Sequence, residues 1–215
     1  LVPPEWLEML SERVPLVMVG RHDEAVGYDT VAGDDVCGAR EVLTHLLSLG
    51  HRRIVHLTEA ESVTVEGSGT PHAVRLQTYR DCMRAAGLEQ ETQVVHVTDE
   101  GTGARDATLA MLRQPRRPTA IFAGHDALAI GALAAVAEAG LTAREISIAG
   151  YDNTRFAGHP LLSLTSVDQG GGALGRQAVA MLLERIHGRE EPRRQTITPR
   201  LVARGSTTVA LPDEA

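Results

Sequence analysis

The chain contains no lysine: every one of its 21 basic Lys/Arg positions is arginine, against 28 acidic residues, for a formal charge of -7. That balance leaves no broad cationic face for phosphates, so direct nucleic-acid binding by these residues is excluded as their main role. The arginine bias follows codon composition before any need for guanidinium chemistry. Cys37 and Cys82 are too few and too isolated for a disulfide framework or a zinc site. They read as packing residues and fit a reducing cytosol, the expected location. No apolar run approaches the length of a membrane span, and the stretch Leu1 to Pro15 lacks the features of a signal peptide, so no membrane partner is expected. Enzyme motifs are missing too: there is no GxSxG elbow, HExxH pair or GxxxxGK[ST] run. His22 with Asp23, and the scattered His45, His51, His56 and His72, lack ligand spacing. The expectation is no enzyme, no metal and no cofactor.

What the sequence does have is alternation. Glu5 to Arg13 reads as a short helix broken by Pro15, followed by a strand at Leu16 to Val19 and a short extended segment near Tyr28 to Ala32. Val42, Leu43, Leu46, Leu47 and Leu49 mark an amphipathic helix, and Ile54 to Leu57 the next strand. Glu59 to Pro71 is a polar loop long enough to be functional. A helix then carries Arg75, Tyr79, Cys82 and Ala86 on one stripe, with Leu76 and Met83 beside it. Strand Val94 to Val97, helix Gly103 to Arg113, strand-like Leu162 to Val167 and a last helix before Gly188 continue the order, with Ile197 to Ala203 a final extended stretch and the Pro-Asp-Glu-Ala end a solvated tail. The reading is an α/β fold with helices flanking parallel sheet. Gln169-Gly170-Gly171-Gly172 is either a hinge between lobes or a weak helix entrance.

The densest unit runs from Pro118 to Asn153: an apolar strand at Thr119 to Ala123, a helix ending at Gly140 with Asp126 as its expected N-cap, and a second strand at Ile146 to Ala149. Right-handed crossover brings His125-Asp126 and Tyr151-Asp152-Asn153 out on the same sheet edge, where open α/β sheets bind ligands.

Seven phrases in order (LSLGHRRIVHL, RLQTYRDCMRAAG, PTAIFAGHDALAIGAL, ISIAGYDN, LTSVDQ, ALGRQAVAMLLERIHG and PRLVARGST) resemble the effector-binding portion of the lactose and galactose repressor family over about Leu1 to Thr207. The resemblance implies a two-lobed, type I periplasmic-binding-protein-like fold with a small molecule between the lobes. It implies a homodimer that places two helix-turn-helix heads on operator DNA. Residues 1 to 33 and 168 to 196 would form the N-terminal lobe, and 34 to 166 and 198 to 209 the C-terminal lobe. The head and the first two βα units of the N-terminal lobe have no counterpart in these residues, so that lobe is expected to be incomplete and the chain to be a fragment, a truncated product or one with ordered regions missing.

By the same resemblance, Arg75 is expected to reach ligand hydroxyls or a carboxylate, and Asp152 to accept hydrogen bonds from an effector. Asp152 read by itself could instead close an Asx-turn or pair permanently with Arg75. His125 departs from the usual Asn of that loop, replacing an amide with a group whose charge depends on pH. A His125-Asp126 catalytic dyad is the weaker reading, because no nucleophile motif accompanies it. Gln169 is a further polar contact or a helix cap. Gly20, Arg21 and Thr98 are placed at the cleft lining, where relatives often carry Asp at the first position and a stacking aromatic near the last. With aromatics at 3% of residues, a purine is disfavoured and a sugar or polyol is the expected effector. A free-standing sugar receptor of the same fold is the second class.

Overall fold

A computed structural model describes residues 2–22, 24, 27–98 and 102–212. Asp23 and the end of the acidic tail, both singled out above, lie outside the described residues. The helices are α1 (Pro4–Ser11), α2 (Asp35–Ser48), α3 (Pro71–Ala85), α4 (Thr102–Leu112), α5 (Asp126–Glu138) and α6 (Gly171–Ile186). The strands are β1 (Val17–Val19), β2 (Asp29–Gly33), β3 (Ile54–Glu59), β4 (Gln93–Val97), β5 (Ala120–Ala123), β6 (Ser147–Tyr151), β7 (Thr165–Asp168), β8 (Arg194–Ile197) and β9 (Arg200–Val202).

Two sheets result. The smaller is parallel, in the order β1-β2-β8, and the larger runs β4-β3-β5-β6-β7-β9 with only β9 antiparallel. Burial on both faces explains the near-continuous apolar runs of β5 and β6. Alternate residues of each strand face different cores: Val55, Leu57 and Ile121 pack with α4 and α5, while Ile54, Phe122 and Ala149 pack with α2 and α3. In the smaller sheet, Val31 packs with Leu174 and Met181 of α6, and Tyr28 packs with Leu7 of α1.

Three places differ from the sequence reading. The stretch Ile197 to Ala203 is not one strand: the chain ends β8 at Ile197 and starts β9 at Arg200 in the other sheet. Most of β8 precedes the expected start, and its residues Arg194, Gln195 and Thr196 are exposed, so no hydrophobic alternation marked it. Asp126 is not the cap of α5. His125 holds that position in extended conformation, and the Asp126 carboxylate instead accepts the Ser166 hydroxyl at 2.6 Å and the Thr154 N–H at 2.7 Å. On α3 the buried stripe is Leu76, Tyr79 and Met83 together with Arg75, while Ala86 is exposed at the helix end.

Candidate functional site

In the larger sheet the chain leaves β3 for β4 on one side and then returns for β5 on the other, so the topological switch lies between β3 and β5. Crevices at the carboxyl ends of strands open at such a point. Glu59 ends β3, Gly124 and His125 follow β5, Asp152 follows β6, and Gln169 follows β7. His125 Nε2 lies 2.7 Å from Glu59 Oε1, bridging the switch point, and the His72 ring stands edge-on to His125.

Local sequence places α3 against this edge. Pro71 opens the helix, and the Thr70 hydroxyl accepts the Ala73 N–H at 3.1 Å while donating to the Val63 carbonyl at 2.6 Å. One turn after Arg75, the Tyr79 hydroxyl donates to the Ile54 carbonyl at 2.7 Å and accepts the Gln93 N–H at 3.0 Å, pinning α3 to β3 and β4. Arg75 is thereby held at 3% exposure. Its Nε donates to Asp35 Oδ1 at 2.6 Å and its Nη1 to the Gly124 carbonyl at 2.7 Å, and its guanidinium lies 3.7 Å above the Tyr151 ring. With Nε and Nη1 engaged in this way, the donors left over remain fixed in one plane.

Asp152 follows Tyr151 directly and takes a φ of 99°, a strained backbone for a non-glycine residue. Its N–H donates to the Val167 carbonyl at 2.9 Å, and its carboxylate accepts a short hydrogen bond from the Gln169 side chain. The residue is exposed to solvent. Desolvation pushes its carboxyl above the ordinary value, opposed by the charge of Arg75 and the Gln169 hydrogen bond. Arg75 and Asp152 are therefore close enough to sense one another, yet the ion pair that holds Arg75 is with Asp35.

Asp35 is a residue that sequence reasoning passed over. Burial pushes its carboxyl up, but the hydrogen bond from His22 and the charge and hydrogen bond of Arg75 outweigh that and hold it below the ordinary carboxylate value. His72 is pushed down to about 4 by burial, with Arg75 and His125 adding to the effect. Its Nδ1 is shielded from solvent and has no hydrogen-bond partner among the described residues.

Residues 43–207 match the family of periplasmic binding protein-like domains. The Escherichia coli HTH-type transcriptional repressor PurR is 35% identical over 211 residues, covering 95% of this chain and 60% of the repressor. A LacI transcriptional regulator from a Rhodococcus species superposes with a TM-score of 0.88 at 30% identity, covering 98% of this chain and 76% of that one. This chain belongs to the LacI family. A LacI-family regulator from Enterococcus faecium with bound ribose superposes with a TM-score of 0.81 at 25% identity, over 92% of this chain and 71% of that one. The chain spans 60% of the length of the curated PurR relatives it matches.

Within this LacI-family chain, the other residues placed at the cleft from sequence are less gathered. Gly20 turns the chain after β1 with a φ of 77°, its N–H donating to the Val31 carbonyl at 2.9 Å. Arg21 is buried, its Nη1 donating to the Val2 carbonyl at 2.7 Å. Thr98 stands exposed at the end of the edge strand β4. Gln169 does not cap α6: Gly170 does, in left-handed conformation, with its N–H bound by Asp168 Oδ1 at 2.9 Å. A side chain at Gly170 would also crowd Ile197, at 3.2 Å from an added Cβ. A cavity of about 580 Å³ lies beside the crevice between α2 and α3; it reaches His22 and Ala73 but not Arg75 or Asp152.

Proposed function

We propose that this chain is the effector-sensing core of a LacI-family transcriptional regulator and takes a neutral sugar or polyol at the carboxyl edge of the larger sheet. Arg75, His125, Asp152 and Gln169 make the polar contacts, with Gly20, Arg21 and Thr98 at the margins. One observation carries the reading: the guanidinium of Arg75 lies 3.7 Å over Tyr151, the residue that delivers Asp152. That contact sets a donor group and a strained acceptor at one strand end, where hydroxyls need both. Ribose in the Enterococcus faecium relative supports the ligand class.

Residues 1 to 33 and 168 to 196 act as one lobe and 34 to 166 and 198 to 209 as the other. Effector binding shifts the lobes of a cytoplasmic homodimer, and operator DNA is engaged by a helix-turn-helix head outside these 215 residues. The effector changes operator affinity by the factor through which the operator changes effector affinity. Titration calorimetry against D-ribose, other neutral sugars, polyols and free nucleobases tests the ligand class. Heat from a sugar or polyol is expected; binding of nucleobases alone, or of nothing in the panel, contradicts it.

A further inference from the structure

We infer that Asp35 is a positioning residue that joins the Arg75 guanidinium and the His22 contact of the smaller sheet into one coupled element. Its bearing on effector affinity rests on the reading of Arg75 given above; the coupling itself does not.

An acidic residue in the first turn of a helix is ordinarily accounted for by the helix dipole. In α2 the capping task is already filled, because the Asp34 carboxylate accepts the Cys37 N–H at 2.8 Å. The Asp35 side chain is only 1% exposed, and its two oxygens go to different parts of the molecule. Oδ1 accepts from Arg75 Nε of α3 at 2.6 Å, and Oδ2 lies 2.7 Å from His22 Nε2, on the segment that leaves β1 of the smaller sheet. The His22 N–H donates to the Gly69 carbonyl at 2.9 Å, just before the cap of α3. One buried carboxylate thus ties the exit of β1, the start of α2 and the start of α3.

The guanidinium is planar. With Nε on Asp35 and Nη1 on the Gly124 carbonyl, rotation about its terminal bonds is closed, and Arg75 meets a ligand already ordered. If the smaller sheet shifts and His22 leaves, Oδ2 stays buried with one partner fewer, so the bond to Arg75 must readjust. Motion between the sheets therefore reaches the crevice through two hydrogen bonds.

The test needs no sugar. In nitrogen-labelled full chain, the Arg75 Nε–H signal, assigned with Arg75→Lys, is followed for position and for exchange with solvent. His22→Ala, at a side chain 26% exposed, is expected to move that signal and to speed its exchange about tenfold. In an Asp35→Asn background the same His22 change is expected to add nothing. An Arg75 signal unmoved by His22→Ala, or effects that simply add in the double variant, overturns the coupling. Should Asp35→Asn fail to fold, the His22→Ala spectrum decides alone. A chain that shows the coupling but binds no sugar or polyol would count against the effector reading and leave this inference standing.

Discussion

Gly38 of α2 faces the hydroxyl of Tyr151 so closely that an added Cβ would fall 2.1 Å from the oxygen and 2.8 Å from Cζ. The absence of a side chain lets α2 lie against the ring that supports Arg75. Gly38→Ala should destabilise the fold by about 1–3 kcal/mol despite its better helix propensity, because the ring cannot retreat from a packed core. Tyr151→Phe in the same chain should recover part of the loss, since the carbon contact remains. Urea denaturation of the two single variants and the double one checks this; a neutral Gly38→Ala would mean that the ring moves freely.

The buried pair of Arg75 and Asp35 gives a second prediction. Arg75→Met strands a buried carboxylate and should cost about 3–5 kcal/mol, whereas Arg75→Met with Asp35→Leu should recover much of it. The sign with pH follows from the lowered Asp35 carboxyl. Its contribution is present above the unfolded value of 3.8 and is lost as pH falls through the lower folded value. The stability gap between wild type and Asp35→Asn, measured by denaturant titration, should narrow as pH falls below 3.8 into strong acid.

Histidine burial makes the fold sensitive to milder acid. His56, between Tyr79 and Phe122, is pushed down to about 3 by burial, and His72 to about 4, from an ordinary 6.5. Below pH 6.5 the unfolded chain takes up protons that the folded chain refuses, so stability falls as pH drops, by up to about 1.4 kcal/mol per pH unit for each group. His56→Gln should flatten the slope between pH 6 and 4 in thermal or denaturant melts. A slope unchanged in that variant would contradict the burial argument.

Much of this was legible in the chain because local chemistry and fold agree. Periodicity marked α2 through Val42, Leu43 and Leu46, all fully buried, and the apolar runs of β3, β5 and β6 mark strands covered on both faces. Crossover handedness puts His125 and Asp152 on one edge. The strand β8 was hidden because it is a polar edge. Asp35 was hidden because a carboxylate after an Asp cap looks like ordinary dipole complementation, and its partners His22 and Arg75 are 13 and 40 residues away. Glu59 and His72 were likewise invisible as site residues: only the topology of β3 and β5 brings Glu59 to His125. Asp126 misled because Asp is a favoured cap, whereas here tertiary partners Ser166 and Thr154 claim its carboxylate.

Whether Arg75 and Asp152 serve one ligand crevice, as proposed, is decided by calorimetric titration of the sugar or polyol that wild type binds into Asp152→Ala and Arg75→Lys. Arg116→Ala, at a side chain 72% exposed and paired with Glu91 elsewhere on the surface, is the control. Both crevice variants should lose about tenfold or more in affinity with their folds intact, as expected for hydrogen bonds to charged groups, and the control should bind as wild type. Wild-type affinity in both Asp152→Ala and Arg75→Lys would mean that the two residues do not share a ligand.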